Sequence, residues 1–192
     1  EVEAYYVYNS KTIWDSAVYF AQKAIQHYST LVGQYPYSVV RVVEGPNSFG
    51  GGMEYPTITV ISPMQNTAAL DRVIAHELGH NWFYGILGTN ERKHPWMDEG
   101  INTYYENLYA NSLKQKKLTQ FEQILLESLS AIKKDQPIET PSESFTIANY
   151  ALVAYYKTSK WLTFLCKELG EDTFNKAMQS YYKQWQFKHP YP

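Results

Sequence analysis

The chain has 192 residues, of which 44% are hydrophobic and 19% charged, enough apolar material for one globular, soluble domain or two closely packed lobes. Its formal net charge of −2 gives no broad electrostatic reason to expect nucleic acid or an anionic membrane as a partner, and no apolar stretch approaches the roughly 18 residues of a membrane span. The single cysteine, Cys166, excludes an internal disulfide, and nothing in the sequence identifies the cellular compartment.

The first third of the chain predicts a small sheet with one covering helix. β-Branched and aromatic residues favour strands at residues 1–8, 39–43 and 57–61. Between the first two strands, apolar residues recur every three or four positions from residue 12 to about residue 31, which is typical of an amphipathic helix.

A glycine-rich segment, residues 45–56, separates the last two strands. Its consecutive glycines let backbone approach backbone closely, and Pro56 is better tolerated in an edge strand than in a central one. An exposed edge can accept a peptide as an additional strand. The residues alone leave two interpretations open, a peptide-binding edge or a flexible hairpin loop.

The next predicted helix begins at Asn66 or Thr67, runs to about residue 87 and carries an HExxH motif. Residues four apart lie on one face of a helix, so the imidazoles of His76 and His80 can converge on one ion. Glu77 then points at whatever that ion activates. The motif therefore predicts two zinc ligands and one general base.

Catalytic zinc usually takes three protein ligands, and Glu99 is the candidate for the third. It follows His80 after eighteen residues that include several turn formers, so a second helix from about residue 97 to 112 can fold back against the first. Thr103 and Glu106 share the face of Glu99. We expect them to hydrogen-bond the outer nitrogens of His76 or His80.

The rest of the chain predicts further helices at residues 119–134, from about 150 onwards, and at 172–187. Residues 135–144 are a loop that is either a rim of the cleft or an inert connection. Periodicity alone favours a core position for Tyr155, with its hydroxyl satisfied.

HExxH, eighteen residues and Glu is the arrangement of the gluzincin metallopeptidases, and further segments resemble their aminopeptidase N and leukotriene hydrolase branch. Residues 51–55 resemble the GAMEN signature, with Gly52 for Ala and Tyr55 for Asn. Residues 155–158 resemble the Tyr-x-Lys-Gly signature, with Thr158 for Gly. Residues 169–174 are similar to the family's helix junction.

The resemblance implies an α+β fold, a thermolysin-like gluzincin catalytic domain. Residues 1–65 would form a small mixed β-sheet lobe and residues 66–192 a mainly helical lobe, with the zinc site between them. Because relatives carry an amino-terminal β-domain and usually a carboxy-terminal helical domain, and because the chain starts at Glu1 without Met, we expect a single catalytic domain from a larger protein. The missing domains would be its partners.

The resemblance also implies roles for individual residues and a peptide substrate. Glu54 would bind the substrate's free α-amine, and Tyr155 would hold the oxyanion beside one Zn²⁺ per chain. Glu77 would take a proton from the attacking water. The other cleft residues that the resemblance implies are Gly51, Gly52, Met53 and Tyr150.

The expected activity is that of an aminopeptidase. An endopeptidase with the same chemistry is the alternative, because the amine anchor is incomplete in this chain. A catalytically silent peptidase-like module that only binds partners is a third possibility, although all of the chemical residues are present.

Overall fold

A computed structural model describes the backbone of residues 1–114 and 120–192 and the side chains of residues 1–114 and 123–192. The strands are β1 (Val2–Tyr5), β2 (Val40–Glu44), β3 (Gly52–Met53) and β4 (Ile58–Ile61). The α-helices are α1 (Lys11–Trp14), α2 (Ala17–Leu31), α3 (Thr67–Gly79), α4 (Ile101–Ser112), α5 (Gln120–Ala131), α6 (Ile147–Asn149), α7 (Thr158–Leu169) and α8 (Glu171–Trp185). Two π-helical segments, Trp96–Gly100 and Tyr150–Lys157, lead directly into α4 and α7.

The strands form one mixed sheet in the order β1-β2-β4-β3. β1, β2 and β4 run parallel, whereas β3 is antiparallel to β4, with Gly52 opposite Ile61 and Met53 opposite Val60. β3 therefore forms one edge of the sheet. The small mixed sheet and the mainly helical remainder confirm the fold predicted from the sequence.

Helices α2 and α3 pack together against one face of the sheet. Three alanines at helical spacing, Ala17, Ala21 and Ala24, are fully buried on α2, and such small side chains allow α3 to approach closely. Ile74 and Leu78 of α3 are also fully buried in this cluster. Because the apolar face of α3 is fixed against α2 and the sheet, the positions of the polar residues on its other face are also fixed.

A second, aromatic core joins α3 to the helices that follow it. Tyr28 stacks on Trp82 with ring centroids 5.2 Å apart, and Phe83 stacks on Tyr105 at 5.3 Å. The Trp82 indole also donates a hydrogen bond to the Gly33 carbonyl at 2.7 Å. This core holds the end of α3 against α4.

Helix α3 ends at Gly79, eight residues earlier than the sequence pattern predicts. The side chain of Asn81 donates to the carbonyl of Leu78 at 3.0 Å and accepts from the backbone of Thr57 at 3.0 Å, so it replaces helical bonds with local and tertiary ones. Residues 80–87 then follow tight turns. The apolar periodicity that suggests a longer helix reflects burial of Trp82, Phe83 and Leu87 in the aromatic core.

Two other helix predictions differ in detail from the structure. The predicted helix from residue 12 is divided into α1 and α2, and the break falls where Asp15 accepts a hydrogen bond from the Tyr6 hydroxyl at 2.8 Å. The predicted start at Thr119 lies outside the described residues. Among the described side chains of α5, Leu126 is buried and Ile124 is exposed, and Ile132, just after the helix, is also exposed. In the described part of the chain, no helix combines the length and apolarity needed to cross a bilayer.

Candidate metal centre

His76 and His80 lie one turn apart on the polar face of α3 and at its carboxyl end. The helix begins at Thr67 because the side chain of Asn66 caps it, accepting a hydrogen bond from the amide of Ala69 at 2.9 Å. The Nε2 atoms of the two histidines are 3.2 Å apart. The helical spacing thus brings both ring nitrogens to one point, as the sequence predicts.

Glu99 approaches the same point from the first π-helical segment. Its Oε2 atom lies 3.4 Å from Nε2 of His76 and 3.3 Å from Nε2 of His80. This oxygen is buried and has no hydrogen-bond partner among the described residues. The three atoms form an almost equilateral triangle.

The triangle has the dimensions of a zinc site. Atoms about 2.0 to 2.1 Å from a tetrahedral zinc are roughly 3.3 Å from one another, and the three separations here are 3.2, 3.3 and 3.4 Å. Two imidazoles and one carboxylate also match the donor set of catalytic zinc sites, which leave the fourth position to a reactant. The residues present therefore fit a zinc ion.

Carboxylates hold the outer nitrogens of both histidines. Nδ1 of His76 donates to Glu106 Oε2 at 3.1 Å, and Nδ1 of His80 donates to Asp98 Oδ1 at 2.6 Å. A carboxylate only accepts, so each ring carries its proton on Nδ1 and turns the lone pair of Nε2 toward the metal position. Arg72 binds the other oxygen of Glu106 and thereby fixes its orientation.

The contact from Glu106 is the one that the helical spacing suggests, but the expected contact from Thr103 is absent. The hydroxyl of Thr103 is buried without a hydrogen-bond partner among the described residues, because Asp98 already occupies the outer nitrogen of His80. Asp98 was not singled out in the sequence. Its position next to Glu99, in a motif that needs one partner for each histidine, is the signal that could have found it.

In the metal-free chain, the charges of the centre depend strongly on one another. Burial alone would lower the pKa of His76, but the neighbouring carboxylates of Glu106 and Glu99 raise it to about 10. Burial would raise the pKa of Glu99, but His80 and His76 hold it well below its usual range. Protons on the imidazoles thus balance the buried carboxylates, as a divalent cation would.

Glu77 lies beside this centre and under the edge of the sheet. Burial raises the pKa of its carboxyl to about 7, although His76 and His80 act in the opposite direction. A Cβ atom on Gly52 would lie 2.1 Å from Oε1 of Glu77, so β3 passes directly against this carboxylate. A buried carboxyl group with a pKa near neutrality suits a general base.

The GAMEN-like segment lines the same cleft. Gly51 has φ +104 and its carbonyl accepts from Ser62 at 2.8 Å, after which Gly52 and Met53 pair with β4. A carboxylate oxygen of Glu54 lies within 4.8 Å of a ring nitrogen of His80 and of an Asp98 oxygen. The edge strand and Glu54 are therefore next to the metal centre.

Two tyrosines of the second π-helical segment lie on the side of the metal centre formed by His76. The ring of Tyr155 stacks on His76 with centroids 5.9 Å apart, and Tyr150 packs on Tyr155 at 5.8 Å. Burial, together with Glu99, raises the pKa of Tyr155 far above its usual range, and burial raises that of Tyr150 to about 12. Both phenols therefore stay protonated and can donate hydrogen bonds at neutral pH.

Lys157, the lysine of the Tyr-x-Lys-Gly-like signature, contacts the loop of residues 135–144. Nζ of Lys157 donates to Asp135 at 2.8 Å and to the carbonyl of Gln136 at 3.3 Å. The same loop, residues 135–144, is also bonded to the segment before Glu99, because Glu139 accepts from His94 and Trp96. Lys157 thus connects the tyrosine segment to a loop that both π-helical segments share.

A helix that presents two histidines to a glutamate, below an edge strand, has the donor set of a catalytic zinc site. The peptidase family M1 domain matches residues 17–190 of the chain. The chain therefore belongs to peptidase family M1, and this confirms the resemblance to the aminopeptidase N and leukotriene hydrolase family.

The chain is similar in sequence to proteins named as an aminopeptidase and a leukotriene hydrolase. Leucine aminopeptidase 2 of Yarrowia lipolytica is 28% identical over 187 residues, which cover 87% of this chain and 29% of that protein. Leukotriene A-4 hydrolase of Xenopus laevis is 29% identical over 199 residues, which cover 95% of this chain and 32% of that protein. The chain spans about a third of the length of these relatives.

Solved structures share the fold. An M1 zinc metallopeptidase from Deinococcus radiodurans has a TM-score of 0.68 and 22% identity, covering 90% of this chain and 38% of that one. Native leukotriene A4 hydrolase from Saccharomyces cerevisiae has a TM-score of 0.70 and 21% identity, covering 91% of this chain and 31% of that one.

Proposed function

We propose that this chain is the catalytic domain of a zinc aminopeptidase, which hydrolyses the first peptide bond of peptides with a free amino terminus. The triangle of His76, His80 and Glu99 donor atoms, with separations of 3.2 to 3.4 Å, carries the proposal. The names of several relatives, such as leucine aminopeptidase 2, support the choice of an aminopeptidase.

His76, His80 and Glu99 would hold one Zn²⁺ per chain. Among the described residues, the other group that could hold a metal is Glu54, His80 and Asp98, and it shares His80 with the first. Because Nδ1 of His80 already donates to Asp98, the two groups do not form independent sites. When bound, zinc supplies Lewis acidity, which polarises a carbonyl and lowers the pKa of water to about 7.

Glu77 is the general base in this proposal. Its carboxylate takes a proton from the attacking water and passes it to the leaving amine. Burial supports the role, because a carboxyl with a pKa of about 7 both accepts and releases a proton at neutral pH. Contact with Gly52 fixes the carboxylate from above.

Tyr155 stabilises the negative charge that develops on the scissile carbonyl oxygen. Its raised pKa keeps the phenol neutral, so its hydroxyl is available as a hydrogen-bond donor throughout the reaction. Stacking on His76 fixes the ring beside the metal ligands. Tyr150 packs on Tyr155 and forms the adjoining wall of the cleft.

The edge strand positions the substrate. Gly51, Gly52 and Met53 offer backbone groups to an extended peptide, which would join the sheet beside β3. Glu54 follows directly, within 4.8 Å of His80, where its carboxylate would bind the ammonium group of the first residue. A peptide held in this way has its first peptide bond beside the metal centre.

We also propose that residues 1–192 act as one catalytic domain whose cleft lies between the sheet-containing part (1–65) and the helical part (66–192). The centre supports this division, because Glu77 contacts Gly52 from the first part while its neighbours ligate the metal in the second. Further domains of the same protein would be its partners, and one of them would complete the anchor for the substrate amine.

The test compares the hydrolysis of a peptide with a free amino terminus with that of its N-acetylated form, using protein with a measured zinc content. An aminopeptidase cleaves the free peptide and leaves the acetylated one intact. Equal cleavage of both, or cleavage at internal bonds, would favour the endopeptidase. Zinc-loaded, folded protein that cleaves neither peptide would favour the silent binding module.

A further inference from the structure

The loop of residues 135–144 contacts the first π-helical segment through one carboxylate, that of Glu139. One of its oxygens accepts a hydrogen bond from Nδ1 of His94 at 2.9 Å, and the other accepts from the indole of Trp96 at 2.8 Å. Because one carboxylate receives both bonds, it fixes the two donors relative to each other. Trp96 is the first residue of the segment that carries Glu99. Glu139 therefore holds the amino end of that segment.

A different contact holds the other end of the same segment. Gly100, its last residue, lies so close to Thr158 and to the carbonyl of Ala154 that a Cβ atom there would overlap both. The segment has only five residues, and Glu99 lies between the points that are held at Trp96 and at Gly100. The direction of the Glu99 side chain thus depends on both contacts.

The same loop also contacts the second π-helical segment, which carries Tyr155. Nζ of Lys157, the last residue of that segment, donates to Asp135 Oδ2 at 2.8 Å and to the carbonyl of Gln136 at 3.3 Å. The side chain of Gln136 in turn accepts from the amide of Thr146 at 2.9 Å, just beyond the loop. The loop therefore has one arm on each π-helical segment.

Between its two arms the loop forms a turn that is held by its own hydrogen bonds. The amide and the hydroxyl of Thr140 both donate to the carbonyl of Pro137, at 3.2 and 2.7 Å. The amide of Ser142 donates to the carbonyl of Arg92 at 2.8 Å, two residues before His94. Because these bonds keep the shape of the loop, the positions of its two arms are linked.

We propose that this loop is a brace that sets the position of Glu99 relative to Tyr155, with Glu139 and Asp135 as its positioning residues. The inference rests on the proposed function, in which Glu99 ligates zinc and Tyr155 donates to the scissile carbonyl oxygen. The side chain of Glu139 is 52% exposed, and charged contacts at such sites contribute little to global stability. Misplacement of a reacting group by about 1 Å, however, can lower a rate about a hundredfold.

Removing the Glu139 carboxylate tests the arm to Glu99 by a measurement that needs no catalytic activity. We expect Glu139→Ala to release zinc to a chelator about 3- to 10-fold faster than the parent, because Glu99 is then less firmly positioned. Glu139→Gln should restore the parent's rate. Its amide oxygen accepts from Trp96, and its amide nitrogen can donate to the other tautomer of His94.

Glu143→Ala is the matched control for zinc release. Glu143 is an exposed carboxylate of the same loop and lies outside the bonds that form the two arms. This variant should release zinc at the parent's rate, and unfolding temperatures show that each variant is folded. Zinc release from Glu139→Ala that matches the parent's rate, or that Glu139→Gln does not restore, would overturn the inference.

Hydrolysis of leucyl-7-amido-4-methylcoumarin, at matched zinc content, tests whether the two arms act together. Glu139→Ala and Asp135→Ala should each lower kcat about 5- to 10-fold with KM within about twofold of the parent's, because misplaced groups slow the chemistry without weakening substrate binding. Two cuts in one linkage are not independent. The double variant should therefore have a kcat no more than about twofold below that of the slower single variant.

Multiplied losses in the double variant, about 25- to 100-fold in kcat, would mean that the two contacts act separately and would overturn the brace. Single variants with the parent's kcat would also overturn it. Failure of the proposed function has a different signature, since the zinc-loaded parent would then not hydrolyse the substrate. The zinc-release rates would still decide whether Glu139 positions Glu99.

Discussion

Two glutamates of the centre, Glu77 and Glu99, differ sharply in acidity although both are buried. Burial raises the pKa of Glu77 to about 7, whereas the adjacent histidines hold the pKa of Glu99 well below its usual range against the same effect. The difference arises from position, since Glu99 contacts both imidazoles directly. Glu99 is thus suited to be a permanently charged ligand, and Glu77 to exchange a proton.

Glu77→Gln tests this division of roles. The amide keeps the shape of the side chain but cannot accept a proton, so we expect kcat to fall by about 10²- to 10⁴-fold while one zinc per chain is retained. His76→Ala, the comparison variant, should lose both the activity and the bound zinc. Steady-state kinetics and metal analysis of the same samples measure the two effects. Parent-like turnover by Glu77→Gln would show that another group is the base.

Glu106→Gln tests the carboxylate behind His76. An amide in place of the carboxylate weakens the bond to Nδ1, so we expect zinc affinity to fall about 10- to 100-fold. Thr103→Val is the matched control on the same helix, because the hydroxyl of Thr103 makes no hydrogen bond in the described structure. Competition with a zinc chelator measures both. Equal affinity losses in the two variants would mean that α4 acts through packing alone.

At the scale of elements, the two π-helical segments act as a pair. They carry Glu99 and Tyr155, and they meet at Gly100, where a Cβ atom would lie 2.3 Å from Cγ2 of Thr158 and 2.5 Å from the carbonyl oxygen of Ala154. Thr158 is fully buried and its hydroxyl donates to the carbonyl of Val153 at 3.0 Å, which closes the end of the second segment. The segments that carry the proposed metal ligand and the proposed oxyanion donor therefore share one tight contact.

Gly100→Ala should disturb both segments at once. The added methyl meets backbone as well as a buried side chain, so we expect a loss of stability of about 1 to 3 kcal/mol. Displacement of Glu99 should lower zinc affinity in the same variant. Denaturant unfolding with and without zinc separates the two effects. If stability falls but chelator competition gives the parent's zinc affinity, the contact does not position Glu99.

The parts of the fold that sequence reasoning identified are those fixed by local pattern. The convergence of His76 and His80 follows from helical geometry, and Glu99 was found from its eighteen-residue separation from His80. The end of α3 at Gly79 was not, because it depends on a bond from the amide of Thr57 to Asn81 that only the folded chain brings together. The π-helical segments likewise reflect tertiary packing, and no residue type marks them in the sequence.

At the scale of the whole molecule, a zinc ion held by His76, His80 and Glu99 would join α3 to the first π-helical segment, two elements that are otherwise held by packing and side-chain hydrogen bonds. A ligand at a hundred times its dissociation constant stabilises the folded state by about 2.7 kcal/mol, and for a chain of this size each kcal/mol raises the unfolding temperature by about 2 to 4 °C. We therefore expect metal removal to lower the unfolding temperature by several degrees. Scanning calorimetry with chelator-treated and reloaded protein measures the change.

The stabilisation by zinc should grow with pH. In the metal-free protein the pKa of His76 is about 10, above its unfolded value of about 6.5, so the stability from its protonated form is complete below about pH 6.5 and is lost as pH rises toward 10. Zinc must displace this proton and binds better as pH rises. The difference in unfolding temperature between loaded and metal-free protein should increase from pH 6 to pH 9. A constant or shrinking difference would contradict the protonated centre.

The residues near the carboxyl end of the chain have a consequence for how the protein is made. The amide of Phe187 donates to Ile86, and that of Gly88 donates to Lys188 at 3.0 Å, so the loop after the metal helix is completed by residues about a hundred positions later. A ribosome adds about 5 to 20 residues each second, so Glu99 follows His80 within a few seconds, whereas Lys188 arrives roughly 5 to 20 s after Gly88. The nascent chain thus displays all three proposed zinc ligands well before the loop beside them is held in place.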